Sequence, residues 1–77
     1  MKNFDIHYAV KDKLFNLNIR SKTDAVIKEG YYSLYRHGVW LANIYKKGKK
    51  NYETLSYTGS FRPADLELIG REIDLRS

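Results

Sequence analysis

The sequence predicts an α+β domain: an antiparallel sheet, made of an N-terminal hairpin plus a three-stranded meander, packed against a C-terminal helix. Three observations lead there. Apolar and polar residues alternate in two stretches before residue 21, the period of half-buried strands. Two Gly-bearing turns, His37-Gly38 and Lys47-Gly48-Lys49-Lys50, divide the β-prone stretch from residue 31 to 58 into three. Beyond the single proline, Pro63, the residues Leu66, Ile69 and Ile73 recur at the spacing of one helix face.

In chain order, Phe4, Ile6, Tyr8 and Val10 alternate with Asn3, Asp5, His7 and Ala9. After the polar Lys11-Asp12-Lys13, alternation resumes with Phe15, Leu17 and Ile19 against Asn16, Asn18 and Arg20. That is a hairpin pattern, and Asn16 and Asn18 argue against a helix because both are poor helix-interior residues. Ser21-Lys22-Thr23-Asp24 offers capping chemistry, so residues 25–29 read either as a short helical turn closed by Gly30 or as a loop.

Residues 31–36 and 39–46 flank the His37-Gly38 turn, and residues 51–58 return as a polar strand rich in Thr and Tyr. Strict alternation puts Trp40, Ala42 and Ile44 on one face of the middle strand and Val39, Leu41 and Tyr45 on the other. Apolar groups on both faces suit a central strand covered by a helix on one side and partly covered on the other.

Pro63 suits the first position of a helix, where its missing N–H costs nothing. Asp65 favours the positive helix start, and Phe61 with Leu66 has the spacing of a hydrophobic staple. Leu68 and Leu75 fall on the side opposite the Leu66/Ile69/Ile73 stripe. Gly70 inside this helix costs about 1 kcal/mol. A rival reading ends the helix at Gly70 and makes residues 72–76 an edge strand; the continuous helix is preferred.

Size and composition bound the function. The 77 residues make a single domain, residues 1–77. A chain of this length buries only about 60% of its unfolded surface, so a shallow binding face is expected rather than an enclosed active site. With no cysteine there is neither a disulfide nor a thiolate-metal framework. No apolar run matches a signal peptide or a membrane span, so the expectation is a cytoplasmic chain with no membrane partner.

Catalytic constellations are missing from the sequence. His7 and His37 stand far apart without helical metal-pair spacing, and Asp65, Glu67, Glu72 and Asp74 read as helix-surface charge. Lys47-Gly48-Lys49 has too few glycines for a phosphate-cradling loop. The expectation is therefore no enzyme, no cofactor, no metal and no small-molecule substrate.

Charge and aromatic placement point to a different class. Residues 31–62 contain six Lys/Arg against one Asp/Glu and eight of the eleven aromatics, whereas residues 63–77 are net acidic. Cations neutralise phosphates and neighbouring aromatics stack on bases, so this segment is the candidate nucleic-acid surface. The candidate residues are Arg36, Asn43, Tyr45, Lys46, Lys47, Lys49, Lys50 and Arg62. Set against this, Trp40 and about half of the tyrosines are needed for a core this small, and a lysine-rich hairpin tip also serves solubility. The alternative is a phage-type or mobile-element interaction protein that binds and inhibits a host protein such as a defence nuclease. Leu68 and Leu75 are its candidate protein interface, which serves equally as a homodimer seam.

The run Gly38-Val39-Trp40-Leu41-Ala42-Asn43-Ile44, the basic turn 46–50, a further strand, Phe61 and a helix together resemble two DNA-binding families. These are the arm-type domain of tyrosine recombinases and the ethylene-response-factor domain of plants. The resemblance covers residues 31–75 and implies a three-stranded sheet in the major groove, backed by one helix. The helix opening Arg62-Pro63-Ala64-Asp65 departs from those families, as do the first thirty residues, which have no counterpart there.

Overall fold

Five strands form one antiparallel sheet in which every strand pairs with its sequence neighbour, in the order β1-β2-β3-β4-β5. The computed structural model describes residues 3–23, 30–48 and 51–76. The strands are β1 (Asn3–Val10), β2 (Lys13–Thr23), β3 (Gly30–Arg36), β4 (Val39–Lys47) and β5 (Asn51–Tyr57). A 3-10 turn (Pro63–Asp65) leads into the helix α1 (Leu66–Arg76). The expected α+β class, antiparallel pairing and C-terminal helix are all present.

The division into a hairpin plus a separate three-stranded meander is corrected. β2 pairs with β3 from Asn18 opposite Tyr35 to Thr23 opposite Gly30, which joins both pieces into one five-stranded meander. Ser21, Lys22 and Thr23 do not cap a helix; they prolong β2, facing Tyr32, Tyr31 and Gly30 of β3. The alternatives for residues 25–29 lie outside the described residues.

Two tight turns set the register. Val10 pairs with Lys13, leaving the two-residue loop Lys11-Asp12, with Lys11 at φ 56°. Arg36 pairs with Val39, leaving His37 at φ 52° and Gly38 at φ 78°. Two positive φ values in succession are the pattern of a type I′ turn, whose twist matches that of the flanking strands.

The core lies between the sheet and α1. Ile6, Leu17, Ile19, Leu34, Leu41, Ala42, Ile44 and Tyr52 line the inner sheet face and meet Phe61, Ile69 and Ile73. α1 rests against both β1 and β5, the two edge strands. A flat sheet of five strands is about 19 Å across at about 4.8 Å per spacing, roughly twice the width of a helix. Contact with both edges therefore requires the sheet to curl around α1.

Two register shifts refine the alternation. Leu34 faces Ala42 while Tyr35 faces Trp40, so Leu41 is the extra residue of a bulge in β4. Asn43 faces Ser56 while Ile44 faces Thr54, which makes Leu55 the extra residue in β5. The first bulge turns Leu41 and Ala42 both into the core and moves Trp40 to the outer face with Asn43, unlike the strict alternation expected from sequence.

Candidate nucleic-acid interface

The sheet face turned away from α1 is open and carries a ladder of polar and aromatic contacts. His7 and Asn16, opposite each other in β1 and β2, share a hydrogen bond. The Asn18 amide donates to Asp5 at 3.0 Å and accepts from Arg20 Nε at 3.1 Å. The Arg20 guanidinium lies 4.3 Å from the centre of the Tyr35 ring. Asp5, His7, Asn16, Asn18, Tyr35 and His37 border a shallow depression of about 410 Å³. Toward β5, Asn43 Oδ1 accepts from the Ser33 hydroxyl at 2.7 Å and from the Trp40 indole at 2.9 Å. The Tyr45 hydroxyl donates to Glu53 at 2.8 Å, and Lys47 pairs with the same carboxylate at 3.3 Å. Hydrogen bonds from Tyr45 and Lys47 hold Glu53 below the usual carboxylate range.

The sequence-derived candidates do not share one footprint. Asn43, Tyr45 and Lys47 lie together on the outer face. Lys46, one residue out of phase, points inward and donates to Asp74 of α1 at 3.0 Å. The same Asp74 oxygen accepts the Tyr52 hydroxyl at 2.8 Å. Burial would push Asp74 up, but the hydrogen bonds from Tyr52 and Lys46 and the ammonium charge together hold it below its ordinary value. Tyr52 is raised, first by burial and then by its bond to Asp74.

Arg36 and Arg62 stand at the opposite end of the sheet, near Tyr8. Burial and the Asp65 charge raise the Tyr8 phenol, while the positive fields of Arg36 and Arg62 oppose that rise. Arg62 precedes the 3-10 turn without capping it through its side chain. Lys49 and Lys50 lie outside the described residues.

Among the described residues the ion pairs are Lys46–Asp74, Lys47–Glu53 and a 4.0 Å Arg71–Glu67 contact along α1. The lysines Lys46 and Lys47 are thus already engaged with carboxylates. None of these pairs involves Lys11, Lys13, Arg20, Lys22, Arg36 or Arg62.

Arg20 and the hairpin cations Lys11 and Lys13 were not among the sequence candidates. The alternation in β2 already groups Arg20 with Asn16 and Asn18, but only the β2–β3 register brings it beside Tyr35. Of the candidate protein-interface pair, Leu75 is 74% exposed, whereas Leu68 is half-buried. Among the described residues no three His, Cys, Asp or Glu side chains gather as a metal site, and no helix is long and apolar enough to cross a membrane. Comparison with protein-family models, curated proteins and solved structures finds no match.

Proposed function

We propose that this chain is a small nucleic-acid-binding module that contacts phosphates with its unpaired cations and bases with the open face of its sheet. The observation that carries the proposal is Arg20 over the Tyr35 ring on a face that also carries Asn16, Asn18, Trp40, Asn43 and Tyr45, with the carboxylates Asp5 and Glu53 each engaged by a neighbour. A guanidinium held over a ring presents donors to phosphate or to a base edge, and phenols and amides beside it tolerate contact with any base. Arg36 and Arg62, together with Lys49 and Lys50 of the basic segment, supply backbone contacts, with Asn43 and Tyr45 beside the bases. Lys46 and Lys47 join them only by releasing Asp74 and Glu53, so these two are the weakest contributors of the set.

The test is a fluorescence-anisotropy titration of a single strand and a duplex at low and at physiological salt. Four phosphate contacts weaken duplex binding by about 100-fold for a fourfold rise in salt. Arg20→Ala, and separately Lys47, Lys49 and Lys50 all changed to Glu, are expected to reduce affinity at low salt. Binding that ignores salt and survives both variants overturns the proposal.

A second reading rests on the exposed Leu75, an apolar side chain standing free on an otherwise acidic helix. In this reading the chain docks on another protein, of the kind an inhibitory phage or mobile-element factor would bind, or on a second copy of itself. Capture of a protein partner that persists after nuclease treatment and is lost in Leu75→Lys favours it.

A further inference from the structure

We infer that the turn end of the domain holds a seat for a phosphorylated nucleoside, in the notch between the β1–β2 hairpin and Arg62. The notch is open, about 350 Å³, and lined by Val10, Lys11, Asp12, Lys13, Phe15 and Arg62. Segments almost fifty residues apart in sequence meet there.

The lining has the two chemistries such a ligand requires. Lys11, Lys13 and Arg62 belong to no ion pair among the described residues, and the Arg62 side chain makes no capping hydrogen bond, so all three are available to an anion. The Phe15 ring borders the same space and is held by Tyr8, its cross-strand partner, at 5.3 Å and 19° between ring planes. A ring fixed on one side offers a pre-oriented platform to a flat base. Asp12 is the one carboxylate in the lining. It suits a ribose hydroxyl or an exocyclic amine, and it disfavours a bare phosphate. At the neighbouring Tyr8 the fields of Arg36 and Arg62 oppose the larger one of Asp65.

A second, independent observation is the backbone of Lys11. Its φ of 56° occupies the first central position of a two-residue turn, where a positive φ restricted to that position favours glycine. A side chain kept at a strained position beside a cationic notch is the arrangement expected when strain serves a site. The ligand chemistry has two sources, the phosphorylated end of a strand and a free nucleotide, and both present a base next to a phosphate.

The experiment is a titration of the isotope-labelled full chain, followed by backbone amide signals, with adenosine monophosphate, adenosine and inorganic phosphate in turn. Adenosine monophosphate is expected to shift Lys11, Asp12, Lys13, Phe15 and Arg62 saturably, with adenosine and phosphate each at least about tenfold weaker. Arg62→Ala and Phe15→Leu should each weaken it by about tenfold, a loss that corresponds to one charge-assisted or stacking contact. Lys11→Gly separates site from scaffold: the turn relaxes, Tm stays level or rises, and nucleotide affinity falls. No saturable shift up to about 10 mM, or affinity unchanged in Arg62→Ala, overturns the inference. Tighter binding of a 5′-phosphorylated strand than of its 5′-hydroxyl form identifies a strand end as the occupant. Equal binding of the two strands, with the nucleotide response intact, identifies the free nucleotide. Salt-sensitive strand binding without any nucleotide response sinks the seat and leaves the general nucleic-acid proposal standing; a nucleotide response without strand binding does the reverse.

Discussion

Gly70 packs directly beneath the ring of Tyr52: a Cβ added at position 70 would come within 2.9 Å of Tyr52 Cε1, closer than real Cβ contacts allow. The helix continues through this glycine because closeness to β5, rather than helix propensity, sets the residue. The ring so seated also carries the hydroxyl that reaches Asp74 one turn further along α1.

Gly70→Ala is therefore expected to destabilise the domain, although it adds helix propensity. The propensity gain is about 1 kcal/mol, whereas overpacking a fitted contact costs about 1–3 kcal/mol. In a Tyr52→Ala background the same change should become neutral or stabilising, because the obstructing ring is gone. Urea denaturation of the four proteins in this double-mutant cycle measures the coupling. A Gly70→Ala protein more stable than the parent would show that the contact does not hold.

Asp74 has its pKa lowered in the folded chain relative to an ordinary value of 3.8. A depressed folded pKa contributes stability that is fully present above the unfolded value and lost as pH falls through the folded one. Stability should accordingly drop below about pH 4. In Asp74→Asn, part of that acid-dependent loss should vanish while the protein is weaker at neutral pH. Parallel stability curves for the two proteins across the acid range would refute the role assigned to the Tyr52–Asp74–Lys46 cluster.

Asn43 is expected to affect stability as well as any ligand. Ser33 is 1% exposed and donates to the Asn43 oxygen, which also accepts from Trp40. Asn43→Ala leaves a buried hydroxyl without its acceptor, at a cost of about 1–3 kcal/mol. Thermal and urea unfolding of this variant should accompany any binding measurement. A loss of nucleic-acid affinity at unchanged stability would show that the amide acts on the ligand alone.

Ile69 and Ile73 are both fully buried at the helix–sheet contact. Ile69→Ala should cost about 2–5 kcal/mol, a large share of what a domain this size has available. The expected result is a chain largely unfolded at 37 °C by circular dichroism. Cooperative melting close to that of the parent would contradict the packing described.

Local patterns determined much of this molecule without reference to tertiary structure. Alternation in residues 3–20, the His37-Gly38 turn and the Leu66/Ile69/Ile73 stripe depend only on strand and helix periodicity, and each is found in the fold. Pro63 marked the start of the last element, although it opens a 3-10 turn before the α-helix begins. The concentration of cations and aromatics in residues 31–62 was equally plain from the chain itself.

Which of those side chains act together is a property of register, curvature and pairing, and these depend on contacts far apart in sequence. A bulge at Leu41 shifts every later side chain relative to the earlier ones, so no count along β4 places Trp40 with Asn43. The β2–β3 pairing sets Arg20 beside Tyr35 and turns two predicted pieces into one sheet. Docking of α1 then takes Lys46 into the Asp74 contact, while Lys47, one position on, pairs with Glu53. The α+β class with its one helix was thus determined by sequence periodicity. Which of the described cations are neutralised was decided only by the folded structure, because an ion pair exists only where the fold brings a carboxylate within reach.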